Sequence, residues 1–215
     1  MKLKQIKPLL VAGDFTSTQA WLRIERDVRD AVAAVHWPPD SGTFTIYPES
    51  GKKRGEGNGV KPIKLGFITK LHDDLGWELE HTHRAADDEE EVAKPAAFGP
   101  GAFDAWLELR EHKLKPFVVE WETGNISSSH RAMNKMAVGI LEGWLSGGLL
   151  VLPSRELYQY LTDRVGNFRE LEPYFPMWQQ LRVSRGYLGV VEVEHDATST
   201  TVKRIQKGTD GRALI

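Results

Sequence analysis

The sequence contains no cysteine. Disulfides and thiolate metal sites are therefore excluded. No apolar stretch approaches the roughly 20 residues needed to cross a bilayer, so no membrane partner is expected. The basic opening, Met1-Lys-Leu-Lys-Gln-Ile-Lys-Pro8, is not followed by a sustained apolar region or a small-residue cleavage site. It does not read as a secretory leader, and the expected location is cytoplasmic. Internal repeats and long low-complexity tracts are missing as well. Nor is there a strong excess of one charge: 28 Lys and Arg against 30 Asp and Glu leave a net charge of −2. Taken alone, that balance counts mildly against a nucleic-acid partner, since such domains are often basic.

What is present suits one well-packed globular unit. The 215 residues are 40% hydrophobic and 27% charged and include seven Trp. A single domain over 1–215 is expected, with the polar stretch 196–215 as a C-terminal arm that orders on binding. The charges are also unevenly spread. Lys52, Lys53, Arg54, Lys61, Lys64 and Lys70 share residues 52–70 with a single acid, Glu56. Asp73, Asp74, Glu78, Glu80 and the run Asp87-Asp88-Glu89-Glu90-Glu91 follow. A basic surface beside a carboxylate cluster suits a protein that holds a polyanion near a divalent metal, although two solvated faces of opposite sign would read the same way.

Periodicity predicts helices over 17–36, about 62–74, about 127–146 and about 154–164. Strands are expected at 43–47, 77–82, 103–109, 117–122 and 149–152, with an outer strand at 187–195. Residues 48–59 and 85–101 read as loops. Strands and helices in this order describe an α/β fold with a mixed central sheet flanked by helices.

The chemistry centres on Phe117-Val-Val-Glu120-Trp-Glu122-Thr-Gly-Asn125. In a strand, residues i and i+2 face the same way, so Glu120 and Glu122 are expected side by side. Two such carboxylates repel unless a cation or a shared proton lies between them, and Mg²⁺ prefers oxygen ligands of this kind. A hairpin would bring Asp104 of the preceding strand opposite the pair. Gly124-Asn125 then turns the chain, and Ser127-Ser128-Ser129 opens a helix whose first turn attracts anions. Arg131 and Lys135 follow within two turns. A lone E-x-E would also fit the wet face of a half-exposed strand. A glycosidase pair is disfavoured because its carboxylates flank a sugar about 5–9 Å apart.

Glu122-Thr-Gly-Asn-Ile-Ser-Ser-Ser-His-Arg131 with Met133-Asn134-Lys135, and Tyr160-Leu-Thr-Asp-Arg-Val165 running on to Leu171-Glu-Pro-Tyr-Phe175, closely resemble the BamHI/BglII group of type II restriction endonucleases. Weaker matches are Thr43-Phe-Thr-Ile46 and Pro62-Ile-Lys64, and the likeness is strongest over about 100–180. The resemblance implies the PD-(D/E)xK restriction-endonuclease-like fold and an Mg²⁺-dependent homodimer that cuts double-stranded DNA at a palindrome with a GATC centre, GGATCC being favoured. It places Asp104, Glu120 and Glu122 in the active site, with Asp104 and Glu120 on the metal. Glu122 stands where the superfamily usually has Lys, as in the BamHI branch. An upstream acid falls on Glu80, three residues after Trp77. DNA contacts fall on Asn125, Ser127, Arg131, Asp163 and Arg164, with Lys61 and Lys64 in the basic stretch. Arg can grip guanine, Asp can accept from cytosine and Asn can pair with adenine. A DNA-binding protein that no longer cuts, or a repair or modification-dependent nuclease on the same fold, is the alternative.

Overall fold

A computed structural model describes residues 1–49, 57–81, 101–110, 113–162 and 165–207, with the side chains of residues 80 and 81 excepted. A six-stranded mixed sheet forms the centre. In chain order its strands are β1 (Lys2–Ala12), β3 (Glu78–His81), β4 (Phe103–Leu107), β5 (Phe117–Trp121), β6 (Gly147–Pro153) and β7 (Gly186–Glu194). The spatial order is β1-β7-β6-β5-β4-β3. β5, β6 and β7 run parallel, while β1, β4 and β3 pair antiparallel to their neighbours. A separate parallel pair joins β2 (Thr45–Ile46) to β8 (Ala197–Thr198).

Helices cover both faces. Helix α1 (Gln19–Ala33) is capped by the Thr18 side chain, which accepts from the Trp21 N–H. It buries Trp21, Ile24, Val28 and Ala31 on one side of the sheet, where α2 (Lys61–Thr69) adds Ile63 and Phe67. Helix α3 (Ile126–Leu141) covers the other side with Met133, Met136, Ala137 and Ile140. Phe168 and Leu171 of α5 (Phe168–Leu171) and Phe175 and Trp178 of α6 (Phe175–Gln179) join that second core. Helix α4 (Arg155–Tyr158) follows β6, capped by Ser154.

Several expectations change. The strand expected at the outside, β7, is buried along its whole length between β1 and β6. The true edge is β1, a Lys-rich strand with Pro8 and two register shifts, features that keep an edge from pairing with other chains. The helix expected to 146 ends at Leu141, and Gly147-Gly148 opens β6 instead of merely stopping a helix. A Cβ on Gly147 would meet the Tyr187 carbonyl at 2.5 Å, so glycine allows the two parallel strands to approach there. The helix expected at 154–164 is one turn long, and the one at 62–74 changes to a π-helical turn over Lys70–Asp74. The segment expected as a free arm packs through residue 207: β8 pairs with β2, and Ile205 is buried. Residues 208–215 lie outside the described residues.

Candidate active site

Strands β4 and β5 pair antiparallel, with Ala105 opposite Val119 and Trp106 opposite Val118. The same register sets Asp104 across from Glu120. In β3, Leu79 pairs with Ala105 and His81 with Phe103, which brings the backbone of Glu80 opposite Asp104. The Glu80 side chain lies outside the described residues. Three acidic positions thus line up across three neighbouring strands.

Asp104 is fixed from two directions. Its Oδ2 accepts the Trp121 N–H at 2.9 Å, and its Oδ1 accepts from Lys64 Nζ at 2.7 Å. Glu120 is buried and meets Lys135 Nζ of α3. Burial, followed by the Asp104 charge, holds the Glu120 carboxyl up at about 7, against the downward pull of Lys135 and Lys64. Each carboxylate therefore draws an ammonium group, one from α2 and one from α3, helices on opposite faces of the sheet. This is the behaviour of a donor set that fits a hard divalent cation: paired oxygens, partly desolvated, that draw positive charge from both sides. Among the described residues, no three acidic or imidazole side chains converge on one point.

Glu122 is not brought into that pair. Strand β5 ends at Trp121, and the Glu122 carboxylate folds back to accept the Gly124 N–H at 2.6 Å. Together with Thr123 it lines a small cleft with Val60, Ile63, Pro153 and Leu157. A Cβ on Gly124 would stand 2.8 Å from Glu122 Oε1 and 2.9 Å from Ser128 Oγ. An alanine at 124 would therefore crowd both the Glu122 carboxylate and the Ser128 hydroxyl at the start of α3.

Asn125 caps α3, its side chain accepting the Ser128 N–H at 3.2 Å. Asn125, Ser127 and Arg131 are all exposed along the first turns of that helix. Asp163 and Arg164 lie outside the described residues, but the Gly166 N–H donates to the Gly124 carbonyl at 2.8 Å, so the chain just after them docks at the start of α3. Lys61 opens α2. Lys64, expected at DNA, donates to Asp104.

A family model described as "Restriction endonuclease BamHI" matches residues 1–212. The chain belongs to the BamHI restriction endonuclease family. It is 47% identical over 214 residues to the type II restriction enzyme OkrAI of Oceanobacter kriegii, with 100% of both chains covered. It is 35% identical over 186 residues to the type II restriction enzyme BamHI of Bacillus amyloliquefaciens, covering 86% of this chain and 80% of that one. This member of the BamHI family is a type II site-specific deoxyribonuclease, a class that acts on double-stranded DNA. Its mixed sheet between two helical layers agrees with the restriction-endonuclease-like fold. No helix among the described residues is long and apolar enough to cross a membrane.

The carboxylate pair was accessible to sequence reasoning, but the engagement of Lys135 with Glu120 was not. A spacing of four puts Lys135 on the same side of α3 as Arg131, yet Arg131 is exposed and the Lys135 side chain is only 10% exposed. The one available signal was the acidic strand just before the helix.

Proposed function

We propose that this enzyme hydrolyses one phosphodiester bond in each strand of a palindromic DNA site with a GATC centre, GGATCC being the favoured target, using Mg²⁺ held by Asp104 and Glu120 with Glu80 beside them. The observation that carries this reading is the pair of facing carboxylates on β4 and β5, drawn on by cations and adjoining the start of α3. Bound Mg²⁺ polarises the phosphoryl oxygen and makes water a better nucleophile. The chain's own residues do the rest. Asp104 and Glu120 supply hard oxygens at paired positions. Glu122, held by the Gly124 N–H, orients or deprotonates the attacking water. The exposed start of α3 offers free N–H groups and a positive dipole end to the DNA backbone.

Base reading is assigned to Asn125, Ser127 and Arg131 for the central pairs and to Asp163 and Arg164 for the outer pair. Arg131 lies about one turn beyond Ser127 and can grip a guanine. Each bidentate contact is worth about 1–3 kcal/mol of discrimination. Arg164→Ala should therefore relax the outer pair and leave the centre strict. Incubation with plasmid and Mg²⁺, followed by sequencing of the fragment ends, tests the assignment; cleavage at sites lacking GATC would remove it.

The palindrome calls for two copies related by a two-fold axis. Val138 and Leu141 on α3 are exposed, as are Tyr174 and Met177. The His130 ring of α3 packs 4.4 Å from Tyr174. A second copy of this chain is the proposed cover for that apolar surface. Sedimentation as a monomer with and without DNA would refute the dimer. We infer a cytoplasmic location, where an enzyme of this kind would meet its DNA.

A further inference from the structure

Lys135 makes three contacts from one ammonium group. It meets the Glu120 carboxylate, donates to the Ala102 carbonyl at 2.6 Å, and lies 4.2 Å from the centre of the Phe103 ring. Ala102 and Phe103 immediately precede Asp104. One side chain therefore ties the acidic residue of β5 to the segment that sets the acidic residue of β4. Lysine suits the task because its three donors can serve a carboxylate and a carbonyl together. Without such a tie, two neighbouring carboxylates would move apart under their own repulsion.

The helix that carries Lys135 also carries the exposed Asn125 cap, Ser127 and Arg131 at its start. Arg131 is one turn before Lys135. Beneath them, Met133 and Met136 are fully buried, so the first turns and Lys135 sit on one packed rod. Any displacement of the α3 start on engaging DNA would therefore reach the ammonium group and, through it, Glu120 and the segment before Asp104.

We propose that Lys135 is a positioning residue that fixes Glu120 relative to Asp104, and that α3 uses it to couple target recognition to assembly of the cation site. The inference rests on the reading of Asp104 and Glu120 as that site. It makes Lys135 necessary for cooperation between cation and target DNA, and unnecessary for cation-free target binding.

The test uses the full chain and fluorescence anisotropy with a GGATCC duplex and a scrambled duplex, each with and without Ca²⁺, beside an Mg²⁺ titration of cleavage. Lys135→Met keeps the aliphatic stem over Phe103 and removes the ammonium. In the unaltered enzyme, Ca²⁺ should tighten target binding about tenfold or more and leave scrambled binding nearly unchanged. Lys135→Met should bind target without Ca²⁺ within about twofold of the unaltered enzyme, yet lose most of the Ca²⁺ enhancement, and its Mg²⁺ midpoint should rise about tenfold. Lys135→Arg, which keeps the charge on a bulkier head, should fall between the two. If Lys135→Met does not fold, Lys135→Arg carries the test, with an expected Mg²⁺ midpoint about threefold higher at unchanged Tm. A full Ca²⁺ enhancement and an unshifted Mg²⁺ midpoint in the folded variant would overturn the proposal while leaving the carboxylate site intact. An unaltered enzyme that cuts the target with Mg²⁺ yet shows no Ca²⁺ enhancement would overturn the coupling alone. One that neither cuts nor responds to either cation would take down the site reading as well.

Discussion

Glu120→Gln is expected to slow DNA cleavage by about a thousandfold or more, equivalent to about 4 kcal/mol of activation free energy, while the variant still binds target duplex in Ca²⁺. Asp104→Asn should behave alike. Each substitution keeps the shape of the side chain and removes one of the two facing anionic oxygens sets on β4 and β5. The base-reading positions on α3 are untouched, so affinity and rate should separate. The amide is a gentler choice than alanine because Glu120 is buried against Lys135. An alanine there would leave a buried ammonium without its partner, at a cost of about 3–5 kcal/mol of stability. Single-turnover cleavage in Mg²⁺ beside a binding titration in Ca²⁺ decides the matter. Near-normal cutting by either variant would show that these carboxylates do not carry the reaction.

The legible parts of this fold are those written in local periodicity. The α1 and α3 stripes and the short apolar runs of β5 and β6 gave elements at the right places, because a buried helix face shows as a spacing of three and four and a fully buried strand as a short apolar run. The position of β7 was not legible. Its alternation of Val and Glu reads as half-exposed, but Glu192 and Glu194 are buried at the sheet end by partners from elsewhere. Gln5 Nε2 donates to Glu192 at 2.7 Å, and Ser154 Oγ donates to Glu194 at 2.5 Å. His195 joins Glu194 from the other side, and these contacts, outweighing burial, hold the Glu194 carboxyl down at about 2. Strand β1 was missed for the complementary reason: three Lys among its first residues hid a strand whose role is to close the edge. At the site, Glu120 and Asp104 were legible because register is a strand property. The way Glu122 is held was not, since it depends on where β5 stops and on the Gly124 N–H that captures it.

Asn58 shows the same contrast within a segment that reads as a Gly-rich loop, and Asn58→Ala should be among the most destabilising single changes in the protein. The residue is completely buried. Its Nδ2 donates to the Tyr47 carbonyl at 2.9 Å and the Tyr160 carbonyl at 2.8 Å, while its Oδ1 accepts the Ile205 N–H at 3.0 Å. Its own backbone donates to the Tyr160 carbonyl at 2.7 Å and accepts from the Thr162 N–H at 3.0 Å. One side chain thus serves the backbone of three segments distant in sequence. Truncation to alanine strands buried polar groups, each costing about 1–3 kcal/mol, and about 3 kcal/mol in all is a fair expectation. For a chain of this size that lowers Tm by about 6–12 °C. Asn58→Asp separates the contributions, because it keeps the acceptor for Ile205 and loses both donors to Tyr47 and Tyr160. It should be at least as damaging, since an unpaired carboxylate would then face two carbonyl oxygens. Arg164→Ala, at a residue assigned to DNA, should by contrast leave Tm within about 2 °C. Thermal unfolding of the three variants gives the comparison. A Tm for Asn58→Ala within that same small interval would mean that these backbone groups find other partners, and that the segment leading to Asp163 and Arg164 does not depend on Asn58 for its place beside the start of α3.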